Sequence, residues 1–386
     1  MTSVIKYLRK PIVAVFLAIF LGFVVGAIVF AMSGFDPIQA YTSLFTGTLG
    51  RPRNIVQVLI RSTPIILTGL SVAFAFKTGL FNIGAEGQYI IGAVTAALVG
   101  YHLQLPPVIH TIIVILTAMF FAGAWGGFAG FLKAKFGIHE VITTIMLNWI
   151  ALYLNNFVIS LPAVKKPNTE ASFEVLDSSR IVVLNAFKNS PEGREYLSSI
   201  DFLRETILRT NLNYGILIAI FACILVSFIL NRTTRGFELR AVGENTDAAE
   251  FAGINVKKNI FLAMFISGAI AGLAGAIQIL GTDPHRITVL AAHEGFGFDG
   301  ISVALIAASN PIACIFSGLF FGILKFGALF IQSELSAPSE IINIVIGTIV
   351  FFIAMASMFD IFADKLEKIR DKKSSDGKTK TGGKKQ

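Results

Sequence analysis

Residues 235–259 read RGFELRAVGENTDAAEFAGINVKKN and separate two long apolar runs of the chain. This polar stretch cannot lie in hydrocarbon, because charged side chains are costly there. Its charges belong to four basic and four acidic residues: Arg235, Arg240, Lys257, Lys258, Glu238, Glu244, Asp247 and Glu250. The stretch is therefore expected to lie in water between two membrane spans.

A short helix is predicted in the middle of this stretch. Thr246 is expected to cap it, and Asp247 lies favourably at the positive end of the helix dipole. Gly253 is expected to end it in the left-handed conformation, which glycine adopts at little cost. A rigid helix of mixed charge suits contact with a cytosolic partner, and the alternative is an ordinary solvated connector.

The composition of the whole chain is that of a membrane protein. Of the 386 residues, 54% are hydrophobic and 15% are charged, a combination that soluble domains rarely show. Apolar runs of about twenty residues recur, which is the length that crosses a bilayer as a helix. Cys223 and Cys314 lie inside such runs and suggest neither a disulfide framework nor a metal cluster. The chain is predicted to be an all-α polytopic membrane protein.

About ten transmembrane helices are expected, close to residues 11–32, 55–76, 79–100, 107–132, 139–160, 213–231, 260–281, 287–308, 310–331 and 338–359. Lys6, Arg9 and Lys10 place the N-terminus in the cytoplasm, and an even number of spans returns the C-terminus there. Three arginines strain this topology because they would be external: Arg51, Arg53 and Arg61.

The regions outside the spans follow from this topology. An external insertion is expected at about 161–212 and a cytoplasmic loop at about 232–259, both within a membrane domain of residues 1–363. The basic tail, 364–386, is predicted to be disordered and to lie near anionic lipid headgroups. The net charge of +8 gathers in the two ends and one loop, which indicates membrane topology rather than a nucleic-acid surface.

Two glycine-rich segments form a weak internal repeat. GLFNIGAEG (79–87) opens the third span, and GFGFDGI (295–301) lies in the eighth, an irregular span. An offset of five spans would place the two copies in opposite orientations. Inverted repeats with broken helices are typical of transporters, since freed backbone groups are tolerated where they line a cavity. The alternative is chance, because glycine and phenylalanine are common in this chain.

Motifs of soluble enzymes fail on inspection. The chain has no GxxxxGKS or GxxxxGKT, so it does not bind ATP through a phosphate-binding loop of its own. His139 and Glu140 begin a zinc-protease motif, but Thr143 stands where the second histidine is needed. The GxGxxG pattern at 295–300 follows no strand and lies in a membrane segment. No catalytic set is found, and the chain is predicted not to be an enzyme.

Polar side chains inside a membrane span are costly in free energy, so each one indicates a function or a bonding partner. The candidates for a solute pathway are Asn82, Glu86, Gln88, Thr144, Asn148, Trp149, Asn155 and Asp299. Asn82 and Glu86 share a helix face if their segment is helical, and Thr144, Asn148 and Asn155 fall on one face of the fifth span. Amides bond hydroxyls and ring nitrogens, and aromatic rings stack, so this set suits a polar solute that contains a ring. The alternative is that these groups bond one another between helices.

Four motifs in order resemble those of a known transporter family. They read GLFNIGAEGQYIIGA (79–93), HEVITTIMLNWIALYL (139–154), RAVGENTDAAEFAGINVKKN (240–259) followed by SGAIAGLAGA, and EGFGFDGISVAL (294–305). Over residues 55–360 or so, the chain is similar to the permease subunits of bacterial ABC importers for branched-chain amino acids, ribose and other simple sugars. Within that family it resembles the nucleoside importer branch.

The resemblance implies a non-enzymatic permease of the bacterial cytoplasmic membrane, with no cofactor or metal of its own. Two permeases, identical or paralogous, would pair; a substrate-binding lipoprotein would deliver nucleosides outside, and cytoplasmic ATPase subunits would bind ATP. The family's coupling helix falls on Glu244, Asn245, Thr246, Asp247, Glu250 and Gly253. Two alternatives stay open: a permease for ribose or another simple sugar, and an ion-coupled secondary transporter that uses Glu86 or Asp299.

Overall fold

The computed structural model describes residues 11–355, which are predominantly α-helical, with isolated bridges and no strand among those residues. The first helices are α1 (Pro11–Met32), α2 (Pro37–Leu49), α3 (Pro52–Lys77), α4 (Ala85–His102), α5 (Pro107–Phe136) and α6 (Glu140–Ser160). Short helices follow outside the long ones: α7 (Asn185–Asn189), α8 (Pro191–Ser199) and α9 (Asp201–Leu203). The last are α10 (Gly215–Arg232), α11 (Thr234–Glu244), α12 (Thr246–Phe251), α13 (Val256–Gly281), α14 (Phe296–Ile306), α15 (Ala313–Leu335) and α16 (Ser339–Ala354).

Six of these helices are long and apolar enough to cross a membrane: α3, α5, α6, α10, α13 and α15. Three shorter apolar helices coincide with further predicted spans: Phe16–Met32, Phe296–Ile306 and Ser339–Phe352. The predicted third span corresponds to α4, which begins only at Ala85. The polytopic all-α class is therefore confirmed, while the count of ten spans and the cytoplasmic position of both ends stay predictions.

Several sequence-based predictions fall on segments that look different in the structure. Residues 33–54, predicted as a mixed external segment, contain helix α2. The insertion 161–212 holds α7 to α9 and a wide helical turn, Arg204–Leu208. The basic residues of the N-terminus and the tail 364–386 lie outside the described residues.

The chain divides into two compact units, and the larger one comprises Leu44–Gly327. In this unit α13 packs against α3, α4 and α5, and small residues bring the helices together. A Cβ on Gly272 would lie 2.3 Å from the Cβ of Ala122, and one on Gly268 would lie 2.5 Å from the Ala122 carbonyl oxygen. Gly268 and Gly272 are four residues apart on α13, and small residues at this spacing allow two helices to pack closely.

Helix α3 forms the centre of this larger unit. The protein buries 89% of the most apolar 18-residue stretch of α3, compared with 28% of the corresponding stretch of α5 and of α10. A helix that other helices cover on all sides does not face lipid. The buried hydroxyls of α3, such as those of Ser62 and Thr68, donate hydrogen bonds to the backbone of the same helix. The larger unit is thus a helical core with lipid-facing helices around it.

The smaller unit comprises residues 1–43 and 328–386 and is described here over 11–43 and 328–355. Its helices α1 and α16 pack together, where the backbone of Ile349 lies against Gly22. The Tyr41 hydroxyl donates a hydrogen bond to the Phe23 carbonyl oxygen at 2.7 Å. The side chain of Ser43 bonds Glu334 within the same unit.

Candidate functional site

The two glycine-rich repeat segments meet in the core of the larger unit, and Glu86 joins them. Its Oε1 accepts a hydrogen bond from the Gly295 amide at 2.8 Å, and its Oε2 accepts one from the Gly297 amide at 2.6 Å. These amides open α14, so the carboxylate lies at the positive end of that helix dipole. Glu86 is fully buried and belongs to the first turn of α4. Two helix N-termini therefore converge on one carboxylate.

Glycine at position 297 makes this contact possible. A Cβ there would lie 2.1 Å from the Glu86 amide nitrogen, a separation that no side chain tolerates. The backbone of α14 therefore touches the backbone of α4 directly. The carboxylate of Glu86 is thereby held by fixed main-chain donors.

The chain before α4 is not helical, which corrects the expectation that Asn82 and Glu86 share a helix face. Asn82 lies in a turn, and its amide nitrogen donates to Gln88 Oε1 at 2.8 Å and to Ser267 Oγ at 2.7 Å. Gln88 donates back to Asn82 Oδ1 at 3.1 Å, and Ser267 bonds Ser71 of α3. This buried network joins α3, α4 and α13, whereas Glu86 points to α14.

The predicted polar stripe of α6 is present on its buried face. The amide of Asn148 accepts a hydrogen bond from the Gly87 amide at 2.8 Å and donates to the Ile83 carbonyl oxygen at 3.1 Å. Thr144 donates to the carbonyl oxygen of Glu140 in its own helix, at 2.8 Å. Asn155, nearer the end of the helix, donates to the Thr288 carbonyl oxygen at 3.0 Å. These bonds occupy the polar groups of Thr144 and Asn148, and their contact with a solute stays a prediction.

Aromatic rings line the exposed side of α6. Trp149 is 47% and Tyr153 is 64% exposed, and their ring centroids are 6.2 Å apart in a stacked arrangement. The ring of His293 lies 4.7 Å from Trp149 and 5.7 Å from Phe298. We call these four residues the ring cluster. The sequence indicated Trp149, but the contribution of His293 and Phe298 depends on how the chain at the start of α14 runs along α6.

A polar cavity of about 200 Å³ lies beside the segment between α13 and α14. Its lining combines residues of α4, α6 and α13 with the segment between α13 and α14: among others Tyr89, Asn155, Gln278, Asp283, Arg286 and Glu294. The Tyr89 hydroxyl is buried and lies beside the Glu294 carboxylate. Of the predicted pathway residues, Asn155 lines this cavity. Tyr89 and Gln278 were missed because a single polar residue in an apolar helix forms no pattern.

Asp299 is engaged with a neighbouring helix. Its carboxylate forms an ion pair with the Lys325 ammonium at 3.0 Å, and Lys325 also lies over the Phe321 ring at 5.9 Å. A charge pair inside a membrane domain lowers the cost of both charges. The pair thus links α14 to α15, and the two charges balance one another.

The polar stretch 235–259 folds into two short helices, α11 and α12. Asn245, and not Thr246, caps α12, because its Oδ1 accepts a hydrogen bond from the Ala248 amide at 2.9 Å. Thr246 is instead the first helical residue. Gly253 has φ +80°, and its amide donates to the Glu250 carbonyl oxygen at 2.9 Å, which confirms the left-handed end of the helix.

This helix pair is fastened to the membrane domain and exposes aromatic side chains. A Cβ on Gly243 would lie 2.8 Å from the Gly79 amide nitrogen, so α11 touches the turn before α4. Phe251 is 96% exposed at the end of α12, and Phe237 is 61% exposed on α11. Large apolar side chains exposed on a polar segment are typical of a protein contact surface. The two helices therefore present a rigid, partly apolar surface.

A network of polar groups lies at the end of the cavity that Asp283 lines. His285 Nδ1 bonds the Ile279 carbonyl oxygen at 3.0 Å, and Nε2 lies 3.2 Å from Asp283. Burial lowers the pKa of His285, although Asp283 acts in the opposite direction. Burial likewise lowers the pKa of Lys188, whose ammonium donates to the Thr210 carbonyl oxygen at 2.6 Å. The Asn211 amide donates to the Asp283 carboxylate at 2.5 Å, which anchors the insertion to the loop that lines the cavity.

No group of three or more His, Cys, Asp or Glu residues that could hold a metal ion occurs within residues 11–355. The two cysteines are buried and free. The arrangement instead offers buried amide networks, a polar cavity, exposed rings and a polar helix pair. These features belong to a polytopic membrane protein that has a polar cavity and, apart from it, a partly apolar surface on α11 and α12.

The chain belongs to the family of permease components of the branched-chain amino acid transport system, whose sequence model matches residues 54–354. It is therefore a multi-pass transport protein of the cytoplasmic membrane and not an enzyme. It is 39% identical over 368 residues to the guanosine ABC transporter permease protein NupP of Bacillus subtilis (strain 168), covering 95% of this chain and 99% of that protein.

Two further relatives extend the comparison. The nucleoside ABC transporter permease protein NupB of Lactococcus lactis subsp. cremoris (strain MG1363) is 35% identical over 378 residues, with 97% of this chain and 98% of that protein covered. The glucose ABC transporter permease protein TsgB13 of Haloferax volcanii is 28% identical over 337 residues, with 87% and 85% covered. The similarity thus extends over nearly the whole chain.

Proposed function

We propose that the chain is the permease subunit of an ABC importer that moves nucleosides into the cytoplasm. The observation that carries the substrate class is the near-full-length similarity to NupP and NupB, at 39% and 35% identity. The site agrees with this class, because a polar cavity next to exposed rings suits an uncharged solute that has hydroxyls and an aromatic base. ATP is bound by partner subunits, and this chain holds no cofactor.

Helices α11 and α12 form the contact with a cytoplasmic ATPase subunit. The contact residues are those of the α12 segment: Glu244, Asn245, Thr246, Asp247, Glu250 and Gly253. The rigid capping by Asn245, the exposed Phe251 and the tight contact of Gly243 with Gly79 support this role. Movement of the ATPase would thereby reach the turn that leads into α4 and Glu86.

The second permease of the importer is a paralogue and not another copy of this chain. Two relatives come from Bacillus subtilis (strain 168), NupP at 39% and NupQ at 27% identity. Two come from Lactococcus lactis, NupB at 35% and NupC at 26%. In each organism this chain is more similar to one permease than to the other, which supports a pair of unlike subunits.

The remaining architecture follows the same proposal. Ten spans place both ends in the cytoplasm, and the segments 79–87 and 295–301 are the corresponding parts of an inverted repeat. Their head-to-head contact through Glu86 supports this relation, because broken helices that meet within the membrane are typical of such repeats. The insertion 161–212 then lies outside, where a substrate-binding lipoprotein docks.

Uptake of a labelled nucleoside by cells that contain the complete importer tests the substrate class. We expect unlabelled nucleosides to suppress uptake, and free ribose, glucose and leucine to have no effect. Suppression by free ribose or glucose, with no effect of nucleosides, would instead show a sugar permease. A strain that lacks only the ATPase serves as the control and should take up no label.

A further inference from the structure

Glu294 places a carboxylate at the exposed surface of the larger unit, within the segment 287–308 that is predicted to span the membrane. Its neighbour His293 contacts Trp149, which lies midway along α6, and its other neighbour Gly295 donates to the buried Glu86. Glu294 itself is exposed. Lys325 is paired with Asp299, and no ion pair of Glu294 is found in the part of the chain that the structure describes.

A carboxylate inside a membrane span cannot face lipid without a large cost in free energy, so it faces either a water-filled space or another protein group. Glu294 lines the polar cavity together with Tyr89, Asn155 and Gln278. The side chain therefore borders a space that is open to a solute. The Tyr89 hydroxyl, 1% exposed and in the lining of the same cavity, lies beside the Glu294 carboxylate, so the two polar groups share this part of the lining.

The ring cluster includes a residue of the same segment, His293. His293 directly precedes Glu294 in the chain, and its ring lies 4.7 Å from that of Trp149. Aromatic faces stack on any nucleobase, and a carboxylate accepts hydrogen bonds from two hydroxyls at once. The combination fits a sugar that carries an aromatic base better than a free sugar.

We propose that Glu294, Tyr89 and the ring cluster form the site where this subunit contacts the nucleoside during its passage. The base stacks on Trp149, and the sugar hydroxyls donate to the Glu294 carboxylate. Tyr89 supplies a further hydroxyl from the cavity wall. This assignment rests on the proposed nucleoside function and goes beyond it by naming the contacts.

An amino acid fits this arrangement less well. Its carboxylate would need a free cation, but the cation in the cavity lining, Arg286, already lies 3.8 Å from Glu174. Glu294 would repel the same carboxylate. An uncharged solute with hydroxyl donors avoids both difficulties.

Photo-crosslinking of the complete importer tests the site. An azido-nucleoside is bound to the assembled complex in lipid nanodiscs, irradiated, and its attachment point is mapped by mass spectrometry. We expect the label on residues 149–157 or 289–298. Trp149→Leu and Glu294→Gln should each lose at least about fivefold of that label, because base stacking and charged hydrogen bonds each change affinity by this order. Trp125→Leu is the matched control, because Trp125 lines an apolar groove between α4, α5 and α6, and its label should equal that of the wild type.

Uptake by the same complexes separates the possible failures. The wild type and Trp125→Leu should accumulate nucleoside, and Glu294→Gln should lose at least about tenfold in rate while ATP hydrolysis stimulated by the lipoprotein persists. Nucleoside uptake with no label in either segment would overturn the site but leave the importer function intact. If the Glu294→Gln subunit no longer co-purified with the second permease, the result would show instead that Glu294 pairs with that subunit. A wild-type complex that takes up no nucleoside would overturn the function itself.

Discussion

Substitution of Glu86 is expected to destabilise the larger unit strongly. The carboxylate accepts the Gly295 and Gly297 amides at 2.8 and 2.6 Å, and the side chain is fully buried. Glu86→Ala leaves both amides without an acceptor, and a buried donor that loses its partner costs about 1–3 kcal/mol. Two such donors give an expected loss of about 2–6 kcal/mol in unfolding free energy. Glu86→Gln keeps one acceptor oxygen and should lose about half as much.

The unfolding free energy is measured by titration of the purified protein with sodium dodecyl sulfate in mixed micelles. Glu340→Gln is the matched control, because Glu340 also lies in the first turn of a helix but is exposed. Its effect should stay below about 0.5 kcal/mol, which is typical of a surface substitution. A loss of less than about 0.5 kcal/mol in Glu86→Ala would refute the argument that this carboxylate holds the two helix ends together.

Three further predictions follow from other parts of the chain. In a pull-down measurement, Phe251→Ala should weaken ATPase binding at least about tenfold, because aromatic anchors dominate such interfaces and Phe251 is 96% exposed on the proposed contact helix. Phe128→Ala, which changes an exposed residue of α5, should bind the ATPase normally in the same measurement. Gly297→Ala should prevent accumulation of folded protein in the membrane, since its Cβ would overlap the Glu86 backbone. Gly347→Ala, in helix α16 with open space around the added Cβ, should still give folded protein on immunoblots after mild solubilisation. Because burial lowers the pKa of His285 below its ordinary 6.5, the unfolded chain binds the proton more readily, so stability should fall as pH drops below about 6.5. His285→Asn should flatten this slope in thermal unfolding at pH 5 to 8, and an unchanged slope would exclude His285 as its cause.

The fold class was predictable from the sequence because apolar runs of span length carry a strong signal. The polar stretch 235–259 was also recognisable from its charges, and Gly253 ends its helix as expected. The N-cap was misplaced by one residue, since Asn245 and Thr246 are both good capping residues. Only the backbone conformation decides which of the two precedes the helix.

The site was predictable only where side chains repeat along one helix. The stripe of Thr144, Asn148 and Asn155 followed from helical spacing, and all three are buried. The joint role of Glu86 and Gly297 depends on two segments that are far apart in the chain. The same holds for Tyr89 and Glu294, which meet at one cavity only after folding. Sequence spacing describes neighbours on one element and does not describe contacts between elements.

The most direct test of the account measures what drives transport. The complete importer is placed in proteoliposomes with labelled nucleoside, and uptake is compared with ATP on the ATPase side and no ion gradient, and with an ion gradient and no ATP. The account predicts accumulation in the first condition and none in the second. Accumulation driven by the gradient, or by this chain without an ATPase subunit, would contradict it.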